Sequence, residues 1–297
     1  MNALPSDFAP PALAQARLTI IGLGLMGGSL AAALSASRAC AHITGVARRR
    51  ETLDRALERG WIDAGVTDPA EGVAGADLVI LATPPRVIVE QIAALGPRLP
   101  AGCIVMDLGS TKAEIAEAMQ RLPATVYPLG GHPMCGRERA GLEAADAALF
   151  RGRPFVLAPL PRTPAAALAL GRALAEAVGA CPIVMDAAAH DRSVAWVSHL
   201  PHLVAVALVR AAIAGARHDA GLWELVSSGF RDTTRLAASD RTMMLDIFMT
   251  NRGPLLAAAR QFESELQALC RALESGDEPA LGRLLDEAIA QRREVST

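Results

Sequence analysis

The stretch Gly130-Gly131-His132-Pro133-Met134-Cys135-Gly136 places a histidine between two glycines and a proline, directly after an apolar run from Thr125 to Leu129. A backbone so restricted aims the ring. Histidine has the side-chain pKa nearest neutrality, so an oriented imidazole accepts a proton from a substrate hydroxyl at cellular pH. A turn histidine that only satisfies backbone groups fits the same residues. A second chemistry lies near the start, in Gly22-Leu23-Gly24-Leu25-Met26-Gly27. In this G-x-G-x-x-G pattern the first glycine permits the turn, the second lets backbone approach a pyrophosphate, and the third lets helix and strand pack closely. His199 and His202, three apart on an apolar helix, share a face beside Pro201, whose kink frees a carbonyl for one of them.

An acidic residue usually stands about 20 residues past the glycine motif in NAD-preferring sites. Ala47 holds that place here, followed by Arg48-Arg49-Arg50 at the expected start of a helix. Cations there oppose the helix dipole unless an anion compensates, and a 2′-phosphate is such an anion. The pattern predicts NADP preference, with NAD as the alternative and a solvated basic turn as the plain reading of the arginines. Thr83 and Pro84, after the strand Leu78 to Ala82, complete the expected cofactor set.

These residues need a sheet to carry them. Leu18 to Ile21, Ile43 to Val46, Leu78 to Ala82, Ile104 to Met106 and Val126 to Leu129 read as buried strands. They alternate with helical stretches at Gly28 to Leu34, Glu51 to Arg59, Val87 to Leu95 and Lys112 to Leu122, which implies a parallel sheet with helices on both faces. Phe155 to Ala158 and Ile183 to Met185 are two later strands flanking a helix from Pro164 to Val178. From Ala187 onward only helices are expected, over Ala187 to Ala214, Gly221 to Ser227 and Arg241 to Glu274. The expected fold class is an α/β Rossmann-type domain over 17–186 and an all-α domain over 187–297, with 1–16 as a flexible leader.

Composition excludes several classes. A net charge of −2 offers no footprint for nucleic acid or a membrane surface. The five cysteines are scattered without C-x-x-C spacing, so neither a zinc site nor a disulfide frame is expected. The leader lacks a signal-peptide pattern, and the longest apolar stretch, His202 to Ala216, is interrupted by Arg210 and short for a bilayer. A cytoplasmic location follows by default. Aromatics are 3% of the chain, so Ala and Leu fill the interior, and Lys112 is the sole lysine.

Several segments together resemble one family. Gly22 to Ser29, Asp107-Leu108-Gly109-Ser110-Thr111-Lys112, Gly131 to Gly136 with Glu138 and Gly141, His190-Asp191, Ser198-His199-Leu200-Pro201-His202 and Gly229-Phe230-Arg231-Asp232-Thr233-Thr234-Arg235 are similar, in order, to the prephenate/arogenate dehydrogenases of tyrosine biosynthesis. The resemblance runs from about Leu18 to the last helix. It implies a nucleotide-binding domain, a helical domain that also dimerises, and oxidative decarboxylation. In that reaction hydride leaves the carbon bearing the ring hydroxyl for the nicotinamide, carbon dioxide departs, and the ring becomes aromatic.

The same resemblance implies that His132 hydrogen-bonds the ring hydroxyl and that Ser110 helps place hydroxyl and nicotinamide together. Ser110 as a plain helix N-cap is the competing reading, and a serine can serve both. Arg235 matches the carboxylate-binding arginine, suited by its bidentate fork. Arg231, Asp232 and Glu138 are expected to buttress it in an ion network. His202 falls by the substrate side chain, with His199 supporting it. His190-Asp191 is open between a hinge and a site contact, and Lys112 between a direct role and a place on the next helix. Prephenate is favoured over arogenate on His202. A β-hydroxyacid dehydrogenase is the nearest rival, but it needs a lysine in the helical half. A non-catalytic NADP-binding sensor is the rival from another class.

Overall fold

The computed structural model describes residues 8–137, 139–219 and 221–295. Arg17–Ile21 (β1), His42–Val46 (β2), Ala64–Val66 (β3), Leu78–Leu81 (β4), Ile104–Asp107 (β5), Tyr127–Pro133 (β6), Pro154–Pro159 (β7) and Cys181–Val184 (β8) form one sheet in the order β3-β2-β1-β4-β5-β6-β7-β8. The helices Leu25–Ser37 (α1), Arg50–Glu58 (α2), Pro69–Gly72 (α3), Pro85–Leu95 (α4), Ala113–Gln120 (α5) and Ala165–Ala177 (α6) cover it. The strands are continuous apolar runs because both faces are buried. Leu18, Ile20, Leu78, Ile80, Ile104 and Met106 point into one core layer, and Ile21, Val79, Leu81 and Val105 point into the other.

All strand pairs are parallel except β6 with β7. The sequence suggests a uniformly parallel sheet, and the reversal has a local cause: among the described residues only a 3-10 turn, Leu142–Ala144, and no crossover α-helix lies between β6 and β7, so the chain can return beside itself. The β6 strand also runs further than the apolar signal, which ends at Leu129. Gly130, Gly131 and His132 pair with Ala158, Leu157 and Val156 of β7. His132 therefore stands inside a strand, not in a turn. Its glycines are needed for close approach: a Cβ at Gly131 would lie 2.5 Å from the Asp107 carbonyl oxygen, and one at Gly130 would lie 3.0 Å from that of Ala158.

The helical half begins with Ala187–Val194 (α7), capped by the Asp186 carboxylate, which accepts from Ala189 N. A π-helical turn at Ala195–His199 leads into Leu200–Gly215 (α8), so one helix runs unbroken from Ala187 to Gly215. At 29 residues it is long and apolar enough to cross a membrane by length and composition, unlike the shorter stretch seen in the sequence. His190, Asp191 and His199 are nevertheless buried on it and bonded to other elements. Elsewhere on this run Trp196, Val197, Val206 and Ile213 are exposed in the single chain.

Ser228–Thr234 (α9) follows, then Arg241–Thr250 (α10), Arg252–Ser275 (α11) and Glu278–Val295 (α12). The expected helix Gly221 to Ser227 is only a 3-10 turn, Leu222–Leu225. The expected helix Arg241 to Glu274 is two helices, broken at Asn251. There the backbone turns (φ −120, ψ 30) and the buried side chain reaches Asp191 and His199.

Candidate active site

The glycine turn stands where the strand order reverses, between β1 and β4. Gly22 has φ +101, and a Cβ there would lie 2.8 Å from the Ala82 carbonyl oxygen. Gly27 passes so close to the turn that a Cβ would fall 1.9 Å from the Gly22 carbonyl oxygen. Gly24, the N-cap of α1, is different. A Cβ there would meet nothing within 4 Å, so the space in front of the helix N-terminus is open to a ligand. Free N–H groups and the positive helix end suit a phosphate, so these residues fit a dinucleotide. Leu25 and Met26 form the first turn of α1 and are half-buried. Thr83 follows β4 beside Gly22 and donates its hydroxyl to Gln91 Oε1 at 2.7 Å, and Pro84 caps α4.

At the end of β2, Arg49 is the N-cap of α2 and Arg50 its first residue, as the spacing predicts. Arg48 and Arg49 are exposed and pair with no described carboxylate, whereas Arg50 pairs with Asp54 at 3.7 Å. No acidic side chain occupies position 47.

Across the sheet, the two halves of the chain meet around His132. Its Nδ1 lies 2.8 Å from Nε2 of His190, and Nδ1 of His190 lies 2.8 Å from the Asp191 carboxylate. A carboxylate only accepts, so His190 donates from Nδ1, and in the tautomer with its single proton there Nε2 is the acceptor. His132 must then donate from Nδ1. Its Nε2 is left with a lone pair for a hydroxyl proton. Burial, then His190, Lys112 and His199, hold the His132 pKa well below the usual histidine value, so the ring is neutral at pH 7.

Asp191 does more than orient His190. Its two carboxylate oxygens accept from Lys112 N at 2.7 Å and Ala113 N at 2.8 Å, the first N–H groups of α5. A residue of α7 thus caps a helix of the nucleotide-binding half. Ser110 is free of that duty, since its half-buried hydroxyl bonds to no described residue. Lys112 is buried and ion-paired with Asp107, so it does not reach the cleft. Thr111 and Thr250 join the halves again at 2.9 Å between hydroxyls.

His199 is buried, and its Nδ1 accepts from Asn251 Nδ2 at 3.0 Å. That amide also donates to the Asp191 carbonyl at 2.8 Å. Burial lowers the His199 pKa to about 4, against the pull of Asp191. His202 donates Nδ1 to the Ser198 carbonyl at 2.9 Å, just past the π-helical turn and Pro201. Arg235 is exposed at the start of a 3-10 turn that packs on α8, the helix carrying His202. The α9 helix ends at Thr234, so Arg231, Asp232 and Arg235 do not share one continuous α-helix. Arg231 and Asp232 are exposed and form no ion pair with a described residue. Glu138 lies outside the described residues.

His190 and Asp191, which the sequence leaves open between a hinge and a site contact, are the pair bonded in series to His132; adjacency of histidine and aspartate at the start of the junction helix is the signal the sequence offers. Asn251 gave none.

Comparison with known proteins bears on this site. Residues 30–184 match the family profile described as prephenate dehydrogenase, nucleotide-binding domain, and residues 186–287 match prephenate dehydrogenase, dimerization domain. The chain is 33% identical over 286 residues to a prephenate dehydrogenase of Lactococcus lactis, covering 94% of this chain and 78% of that protein. Among solved structures, it is similar to prephenate dehydrogenase from Aquifex aeolicus in complex with hydroxyphenyl propionate and NAD+ (TM-score 0.87, 31% identity, 96% of this chain and 100% of that one). It is also similar to Synechocystis arogenate dehydrogenase (TM-score 0.83, 33% identity, 94% and 99%).

Proposed function

The chain belongs to the prephenate dehydrogenase family, and we propose that it oxidises and decarboxylates prephenate with NADP+, His132 taking the proton of the ring hydroxyl. The observation that carries the reading is the ordered set Asp191, His190 and His132, which leaves a neutral imidazole with its Nε2 lone pair unengaged. A nicotinamide dinucleotide held at the glycine turn supplies the hydride acceptor. Loss of hydride from the hydroxyl-bearing carbon is eased as the hydroxyl proton shifts to Nε2, and a positioned base contributes about 10²–10⁴ in rate to such a step. The ring carboxylate departs as carbon dioxide, leaving its electron pair to the aromatic ring, and the proton returns from Nε2 to the phenolate oxygen. As Nε2 gains the proton, the charge on His132 is met through Nδ1 by His190 and, behind it, the Asp191 carboxylate.

Ser110, free of capping, serves as a second hydrogen-bonding group for the same hydroxyl. Arg235 binds a substrate carboxylate, and His202 faces the side chain from the adjoining helix. His199 supports this set from within, through Asn251. Arg231, Asp232 and Glu138 are proposed around Arg235, on the strength of the motif alone. Gly22, Gly24, Leu25, Met26, Gly27, Thr83, Pro84 and Ser110 line the cofactor, and Arg48, Arg49 and Arg50 meet its 2′-phosphate. The exposed Trp196, Val197 and Ile213 support a homodimer through the helical half, working in the cytoplasm.

Absorbance at 340 nm with prephenate and arogenate, each with NADP+ and NAD+, tests the reading. Highest kcat/KM for prephenate with NADP+ is expected. Equal or better use of NAD+ removes the cofactor assignment, and a preference for arogenate removes the substrate assignment. Full turnover by His132→Asn removes the mechanism.

A further inference from the structure

Asp107 ends β5 as a buried carboxylate with three donors. Its Oδ1 accepts from Gly131 N at 3.2 Å, and its Oδ2 accepts from Gly109 N at 2.8 Å and from the Lys112 ammonium. Gly109 and Gly131 directly precede Ser110 and His132. One carboxylate therefore ties together the backbones that carry both hydroxyl-binding groups. There is little slack: a Cβ at Gly109 would lie 2.6 Å from Ile115 Cδ1 and 2.9 Å from Asp107 Oδ2. Lys112 is fixed at both ends, by Asp107 at its ammonium and by Asp191 at its N–H. Burial pushes the Asp107 carboxyl above its usual range, and the Lys112 charge pulls against that.

We propose that Asp107 and Lys112 are positioning residues for the oxidation step, a charged clamp that sets the separation of Ser110 from His132. Neither touches substrate. The inference rests on the reading that these two groups share the ring hydroxyl. A merely structural ion pair tolerates replacement by neutral side chains of similar volume. A clamp does not, because displacing reacting groups by about 1 Å costs on the order of 100-fold.

The test compares Asp107→Asn and the double variant Asp107→Leu/Lys112→Met with the parent enzyme. Steady-state kinetics with prephenate and NADP+ are read beside the cofactor dissociation constant from fluorescence and the thermal midpoint. Expected for Asp107→Asn is a 10- to 100-fold lower kcat, with KM and cofactor dissociation constant within threefold of the parent. The double variant is expected to be a folded protein with kcat reduced at least as far. A folded variant of either kind with kcat within threefold overturns the proposal. So does a loss of kcat matched by an equal loss of cofactor affinity, which marks general collapse of the site. His132→Asn, run alongside, separates the two ideas: if it is silent while Asp107→Asn is fully active, only the clamp falls.

Discussion

His190 donates a hydrogen bond from Nδ1 to Asp191 and so accepts one, at Nε2, from His132 Nδ1 2.8 Å away. The tautomer of His132 is thereby set from the other half of the chain. Replacing His190 with Leu frees His132 to carry its proton on either nitrogen and removes a neighbour that lowers its pKa. Turnover is expected to fall about 10- to 100-fold with little change in KM. The acid limb of kcat/KM should move up toward 6.5, the ordinary histidine value. An unchanged pH profile would show that His190 does not govern the ring.

Asp191→Ala should be costly for stability as well as rate. It removes the acceptor for Lys112 N and Ala113 N, leaving two N–H groups at the start of α5 without their partner. A lost cap and an orphaned buried donor together cost about 2–4 kcal/mol. Asp191→Asn retains one acceptor and should lose less. Urea titration of both variants would show the order.

Arg48→Ala with Arg49→Ala should lower kcat/KM for NADP+ at least tenfold, about 1.4 kcal/mol, and leave NAD+ within threefold. Both arginines are exposed and pair with no described carboxylate, so the change should leave the fold intact. Parallel kinetics with the two cofactors give the answer, and an equal loss with both would remove the 2′-phosphate contact.

Acid should weaken the helical core through His199. Its pKa is lowered from 6.5 to about 4 by burial, so between those values the unfolded chain binds a proton that the folded one refuses. Stability is then full above pH 6.5 and is lost as pH falls toward 4. His199→Gln should flatten that slope. Thermal midpoints of the parent and variant between pH 7 and pH 4 would reveal it.

Much of this architecture is legible in the sequence because strands buried on both faces leave unbroken apolar runs. The first strand, the glycine turn and the helix after it illustrate this. β3, Ala-Gly-Val, carries too little apolar signal to be seen, and the extent of β6 is hidden because glycines needed for close packing mimic a turn. The candidate site was legible one residue at a time. His132 and Ser110 stand out by motif, yet what orients or frees them comes from Asp191, 59 and 81 residues further on in sequence. Hydrogen bonds of that span leave no periodicity to read. Asn251 is hidden for the same reason: in sequence it lies inside a helical pattern, and only its inward partners reveal the break.

Asp191 occupies an unusual place because it grips the first peptide groups of α5 and the ring of His190 with a single carboxylate. If the two halves of the chain part at this joint, the cap of α5 and the proton order of His132 are lost in the same motion. On the proposed mechanism a chain parted there would leave His132 with no fixed proton order and no partner for the charge it gains.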